Sequence, residues 1–510
     1  MRQMRQMRQK KGGNTYAGRQ LWVTIVTLVT VLALLVGGTI VASYAVYTPH
    51  DAVTLRAVHE EGDLAATAGL TLQTWTEMDG RLFWENTFTF DGAGHSAMSS
   101  YAFHPLGVAA QRDQTPRDIS LTIEYDATAN LSQELEELTP IQQAVRQVWD
   151  EMRAGDTREL TLTVADYYEY SPFEVDILNR GLFQRGDTDH WQQITAAFSS
   201  YFKIPVLPGE RMLLTMRKYQ GGSNTSASTG IGHDGDCFFP EMISHVVTDE
   251  DGGVIYFTFF PYSSEGTLVD LSHLPRGYGL FSVRYHTLDN GGLRLDTESL
   301  GLAVALPLDI KIEYLGRAGQ SGELLMLARE TNGHGDETGR LQLYVLSPER
   351  GAVLQTLCAD AAENKRYYSV YDGSEDYLVL RHYDGGLFYI VLARGADGTW
   401  SVALETGLPE VGREDGVAEE KLSELRGFDS GMENAMLWDG TRLAVVRNMT
   451  RAIDGYESAR WSCDFQLTVW DANGLLYLGD YRTSLNTTGE EYSTAVDFSA
   501  NKNWRLSLAE

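Results

Sequence analysis

The run "GVIYFTFF" at residues 253–260 decides how most of this chain is read. It is dense in β-branched and aromatic residues, short, and bounded by turn residues, which marks a strand. Eight more runs share that texture: "RMLLTMRKY" (211–219), "GLFSVRYH" (279–286), "ELLMLARE" (323–330), "LQLYVLS" (341–347), "YLVLRHY" (377–383), "LFYIVLA" (387–393), "RLAVVRN" (442–448) and "FQLTVWD" (465–471). The chain holds ten Asp-Gly and three Asn-Gly pairs, which suit two-residue hairpins. The runs beginning at 253, 323, 377 and 442 stand 70, 54 and 65 residues apart, and each is followed by a second strand. That spacing predicts irregular four-stranded blades of a β-propeller-like domain over 206–510, roughly five or six of them. The closing stretch "TAVDFSANKNWRLSLAE" (494–510) is expected to complete the first blade. Trp438-Asp439 and Trp470-Asp471 lack a recurring Gly-His partner, so they do not make a WD40 repeat. Stacked β-sandwiches are the alternative architecture for this mainly β chain.

Upstream, residues 50–205 read as a small α+β module. "LQTWTEMDGRLFWENTFTF" (72–90) is a hairpin turning at Asp79-Gly80, and "DISLTIEYDA" (118–127) and "ELTLTVADYY" (159–168) are strands. Between them "TPIQQAVRQVWDEMRAG" (139–155) is the clearest helix. Thr139 caps it, Pro140 suits its first position and Gln142 completes a capping box. Ile141, Ala144, Val145, Val148, Trp149 and Met152 give it one apolar face, and Gly155 ends it. "FKIPVLPGE" (202–210), with two prolines and a glycine, is the expected boundary between the two domains.

Further upstream, Leu21 to Tyr47 is 27 residues without a charge. At about 1.5 Å per residue such a helix exceeds the roughly 30 Å hydrocarbon core, so it spans with some tilt. Trp22 near one end, and Tyr44 and Tyr47 near the other, suit the membrane interfaces. Residues 1–20 carry six basic residues and no acidic one, whereas Asp51, Glu60, Glu61 and Asp63 follow the span. The positive-inside rule then predicts a cytoplasmic N-terminus and an extracytoplasmic body, a single-pass cell-membrane protein. A cleaved signal peptide is the other reading, because Ser43-Tyr44-Ala45 is a small-x-small site. The apolar run is far longer than the roughly 7–15 residues of a signal core, which favours an uncleaved signal-anchor. The opening "MRQMRQMRQKK" reads as a topology tag next to anionic headgroups. Thr24, Thr27, Thr30, Gly37 and Gly38 are small enough to let another helix pack closely.

The net charge is −29, from 41 basic and 70 acidic residues. A surface this acidic repels phosphate backbones, so no nucleic acid partner is expected. The three cysteines, Cys237, Cys358 and Cys463, lie more than 100 residues apart. They form neither a disulfide scaffold nor a C-x-x-C zinc motif, and no cofactor is expected. The composition reads as bacterial. In layout the chain resembles bacterial membrane-anchored extracytoplasmic proteins: a basic tail, one span, an α+β module and a C-terminal propeller-like region. The resemblance rests on no diagnostic motif, implies no activity and carries over no residues.

Two clusters have the residue types for metal binding or acid–base chemistry: "GHDGDC", with His233 and Asp236, and "GHGDE", with His334 and Asp336. Both are Gly-flanked and lie between strands, where turns select Asp and Gly for backbone reasons alone. "DYYEYSP" (166–172) offers Tyr167, Tyr168 and Tyr170 as a stacking platform for a glycan or peptide, or as a packed strand end. "SYFK" (200–203) matches S-x-x-K without the partner K-T-G, and "GQSGE" (319–323) lacks the last glycine of a nucleophile elbow. "KYQGGSNTSASTGIG" (218–232) lacks the G-K-[ST] of a phosphate loop. The expected function is therefore non-catalytic: an anchored extracytoplasmic binding, scaffold or sensor protein, an accessory to a membrane complex. The alternative is an extracytoplasmic hydrolase or lyase acting on glycan or peptide.

Overall fold

The computed structural model describes residues 21–40, 53–78, 82–103, 119–177 (without 124, 126, 128–135 and 137), 188–219, 227–249, 252–288, 293–318, 322–362, 366–374, 376–383, 386–409, 435–451, 460–483 and 498–509. In chain order, α1 (Leu21–Ile40) precedes β1 (Leu55–Gly62), β2 (Leu70–Met78), β3 (Leu82–Phe90) and β4 (His95–Phe103). Then come β5 (Ile119–Ile123), α2 (Pro140–Glu151), β6 (Thr157–Thr163), β7 (Phe173–Ile177), α3 (Thr188–Phe202), β8 (Arg211–Lys218) and β9 (Ala227–Asp234). Three meanders follow. The first is β10 (Met242–Asp249), β11 (Gly252–Phe259), β12 (Gly279–Thr287) and β13 (Leu293–Ala305). The second is β14 (Ile310–Ala318), β15 (Glu323–Thr331), β16 (Glu337–Ser347) and β17 (Ala352–Asp360). The third is β18 (Tyr368–Ser374), β19 (Tyr377–Tyr383), β20 (Gly386–Arg394) and β21 (Trp400–Pro409). Last are β22 (Ala435–Trp438), β23 (Leu443–Arg451), β24 (Arg460–Asp471), β25 (Gly474–Thr483) and β26 (Phe498–Leu508).

The fold is mainly β, with an apolar N-terminal helix and many small sheets, which fits irregular propeller-like or stacked sheets alike. α1 has 20 residues and a mean hydropathy of 2.4, and among the described residues none buries it. It is long and apolar enough to cross a membrane. Thr27 and Thr30 donate their hydroxyls to the carbonyls of Val23 and Val26, so neither brings an unmet polar group into an apolar setting. Tyr44 and Tyr47 lie outside the described residues, and Trp22 is exposed.

The chain divides into two compact units, Met1–Gln111 with Val411–Glu510, and Arg112–Glu410. In the first, two sheets run β1-β25-β24-β23-β22 and β26-β2-β3-β4. The C-terminal strand β26 thus pairs with β2, Leu70 opposite Leu508, and not with a strand near residue 211. The hairpin at 72–90 is therefore part of a sheet that both ends of the chain build. Phe88, Phe465, Tyr477 and Tyr481 fill the core of this unit.

In the second unit the three meanders keep strict chain order within each sheet. Consecutive sheets pack face to face, and β15 shows why its sequence is a continuous apolar run. Alternate side chains leave a strand on opposite faces. Leu324, Met326 and Ala328 enter the core shared with β11 and β12, while Leu325 and Leu327 enter the core shared with β19 and β20. A strand covered on both faces loses the polar alternation of a surface strand.

The same unit holds α2 and α3. Thr139 and Gln142 form the predicted capping box on α2, and Ile141, Val145 and Trp149 bury its apolar face against Leu162, Met212, Leu214 and Met216. Lys218 closes the other end. Its Nζ reaches the carbonyls of Trp149 (3.1 Å) and Met152 (2.9 Å) and lies 4.8 Å from the Trp149 ring centroid. β8 pairs with β6 along its length, Thr157 opposite Arg217, so one sheet, β6-β8-β9, runs across the expected boundary at 205/206. Helix α3 was not anticipated. Ile194, Phe198 and Phe202 recur at four-residue steps and are all fully buried. They pack against β5 and β7 and against Phe257, Phe259 and Phe281 of the first meander.

Candidate functional site

A carboxylate, an imidazole and a thiol meet where β8 and β9 begin and end. Glu210 immediately precedes β8, His233 on β9 pairs with Met212 of β8, and Cys237 follows the turn after β9. One carboxylate oxygen, one ring nitrogen and Sγ all lie within 4.8 Å of one another. Glu210 and Cys237 are each 2% exposed.

The backbone makes this approach possible at Gly235. Its φ is +82°, and a Cβ there would stand 2.5 Å from the carbonyl oxygen of Gly209. Only glycine lets the 234–237 turn lie directly on the residue before Glu210. Glu210 is fixed from its own side as well. Its amide donates to the Leu207 carbonyl (3.1 Å), its carbonyl accepts from Val164 (3.0 Å), and Tyr125 donates its hydroxyl to Oε1 (2.8 Å). Oε2 of Glu210 and Nδ1 of His233 are buried and make no hydrogen bond. Burying such atoms unmet costs on the order of 1–3 kcal/mol each, which makes them unusual in a packed interior.

The electrostatics are one-sided. Burial pushes the Cys237 thiol up to about 11, and the carboxylates of Glu210, Asp236, Asp234 and Glu265 add to the shift. Burial raises Glu210 as well, against the hydrogen bonds from Tyr125 and Leu207 that pull it down. Burial lowers His233, which favours neutral imidazole. A catalytic cysteine needs a lowered pKa and a cationic neighbour. This thiol has the opposite surroundings. A neutral imidazole with nearby carboxylate and thiol instead offers donor atoms that could hold a metal ion.

Among the residues singled out in the sequence, His233 belongs to this cluster. Asp236 is one residue away from Cys237 but faces elsewhere. Its Oδ1 accepts from the Glu265 amide (3.1 Å), and hydrogen bonds from that amide and from Ser263, Thr267 and Ser264 outweigh burial and lower its pKa. It braces the turn at 263–267. His334 and Asp336 sit in the β15–β16 turn, where Asn332 Oδ1 accepts from both of their amides at 2.9 Å. That turn touches the 263–267 turn, since a Cβ on Gly266 would stand 2.3 Å from the His334 carbonyl oxygen. The two quoted clusters are thus neighbours through a third turn.

The tyrosines divide. Tyr168 is half-buried with its ring 5.2 Å from that of Tyr125, which in turn lies 6.0 Å from His233. His233 meets Phe239 edge-on at 5.2 Å. Tyr168, Tyr125, His233 and Phe239 therefore form one chain of rings around the cluster. Tyr167 is half-buried against the α2 core, and Tyr170 is exposed and bridges to Pro205. Two members of the cluster went unread. Cys237 closes the quoted "GHDGDC" but had no visible partner, and Glu210 ends "FKIPVLPGE", where only the turn signal was legible.

No protein-family model matches the chain, and no curated protein matches it in sequence. Solved structures give distant likenesses. An apocarotenoid oxygenase of Synechocystis is 9% identical, over 90% of this chain and 97% of that one, with a TM-score of 0.24. A periplasmic gluconolactonase of Pseudomonas aeruginosa is 11% identical, over 86% and 100%, with a TM-score of 0.26. A sialidase of Streptococcus pneumoniae is 9% identical, over 81% and 89%, with a TM-score of 0.22. Similarity at this level transfers no activity, substrate or residue to the present chain.

Proposed function

We propose that this chain is a single-pass membrane protein whose β-rich body lies outside the cytoplasm and works by binding, as a sensor or accessory subunit of a membrane complex. The observation that carries the reading is α1, a 20-residue apolar helix that the rest of the protein leaves uncovered. In water its exposed leucines, isoleucines and valines would form an apolar surface far beyond what a monomer tolerates. A bilayer removes that cost. The basic residues ahead of α1 and the acidic ones after it favour the stated orientation. Burial raises the Cys237 thiol, which speaks against a cysteine nucleophile at this cluster.

Crosslinking the full-length protein in intact cells, followed by denaturing capture and mass spectrometry, tests this reading. One membrane protein is expected to recur, joined through residues of the 53–509 region. Absence of any recurrent partner, together with hydrolysis or elimination of a glycan or peptide by the purified full-length protein, would replace it with the enzymatic reading.

A further inference from the structure

We propose that Glu210, His233 and Cys237 form a binding site for one zinc-class divalent cation. The ligand atoms converge within 4.8 Å, so contraction of a few tenths of an ångström to about 1 Å brings all three to metal-bonding distance. One thiolate, one imidazole and one carboxylate is the mixed S/N/O set that suits zinc, and not the all-oxygen shell of calcium or magnesium. Two independent features point to an ion. Glu210, 98% buried, has Oε2 with no hydrogen bond, and His233 Nδ1 is likewise buried and unmet. A cation between them satisfies both atoms at once. On binding, the Cys237 S–H bond breaks, its proton leaves to solvent, and the thiolate electron pair forms the metal–sulfur bond.

The surroundings have the parts of an outer shell. Tyr125 donates to Glu210 Oε1 and so leaves Oε2 to the ion. Gly235 permits the close contact between the 234–237 turn and Gly209. Three protein ligands leave a fourth position for water or for a group on a bound partner. The site does not depend on the membrane placement or on any partner, so its failure would leave the proposed function standing.

The test uses full-length protein purified in detergent, stripped with chelator and then loaded with zinc or cobalt alone. One zinc per chain is expected after dialysis. Cobalt should give thiolate-to-metal charge-transfer absorption, and that band should vanish in Cys237→Ser. Glu210→Gln, which keeps an acceptor for Tyr125, should lose stoichiometric zinc. Tyr125→Phe should retain the site but weaken it about 10–100-fold, the usual penalty for removing an outer-shell donor. Glu151→Gln, exposed and paired with Arg158, should bind as wild type. Circular dichroism of each variant separates loss of ligand from loss of fold. No zinc uptake by folded wild type, or unchanged uptake and an unchanged cobalt band in Cys237→Ser and Glu210→Gln, would overturn the proposal.

Discussion

Replacing Arg329 with methionine is expected to destabilise the protein by about 3–5 kcal/mol, the usual effect of removing one partner from a buried ionic network. Arg329 lies on β15 and its side chain is completely buried. Its guanidinium pairs with Glu313, donates to the carbonyl oxygens of Gly339 (2.8 Å) and Arg366, and lies 3.5 Å from Glu337. It also covers the face of Tyr368, with 5.3 Å to the ring centroid. One side chain thus ties β14, β15, the start of β16 and the strand beginning at Tyr368. Methionine fills much of the volume but leaves Glu313 and Glu337 facing each other without the charge between them. Lys311, 3.6 Å from Glu337, offsets only part of this. Equilibrium denaturation should show a lower midpoint at unchanged slope. Adding Glu313→Gln to Arg329→Met should recover part of the loss, because both halves of the pair are then neutral. A loss below about 1 kcal/mol in the single variant would show that the network contributes little.

Phe202→Ala should cost a similar amount, about 3–5 kcal/mol, for a different reason: an unfilled cavity. Phe202 is fully buried and ends α3. Its ring centroid lies 5.0–6.2 Å from those of Phe173, Phe198, Tyr201, Phe257, Phe259 and Phe281. Those rings belong to β7, α3, β11 and β12, so the side chain joins the helix to a sheet on each side. Removing it strips contacts from all of them, and rings held by one another collapse poorly into the void. Phe202→Leu should cost less than half as much, since most of the volume stays. The same denaturation experiment reads both. Equal losses for Ala and Leu would mean that ring geometry, not volume, sets the stability of this joint.

Much of the architecture was legible in the sequence because it is local. Each strand of the meanders lies next to the strand that follows it, so runs such as "YLVLRHY" and "LFYIVLA" became β19 and β20. Helix α2 announced itself through Thr139, Pro140 and Gln142, whose roles need only three neighbours. The pairing of β26 with β2 joins residues more than 400 positions apart, and no periodicity encodes it. The sheet β6-β8-β9 was hidden likewise, because Pro205 and Pro208 looked like a domain boundary. For α3 the signal was present in Ile194, Phe198 and Phe202, but the polar residues between them and the adjacent Ile204-Pro205 obscured it. The site was half legible. His233 stood out as a metal-type residue in a Gly-rich turn. Glu210 becomes remarkable only through its burial, and burial of a glutamate is a property of the packed chain.

The claim that the body lies outside the cytoplasm is tested most directly at Cys358. This thiol is free and exposed, whereas Cys237 is buried. Burial, against the pull of Arg340, raises its pKa, so labelling is run at mildly alkaline pH to supply thiolate. Intact cells expressing the full-length protein are treated with a membrane-impermeant maleimide, beside permeabilised cells and a Cys358→Ser control. The account predicts equal labelling of wild type in intact and permeabilised cells, reduced in Cys358→Ser by the share due to this thiol. Labelling of Cys358 only after permeabilisation would place the body in the cytoplasm and contradict it.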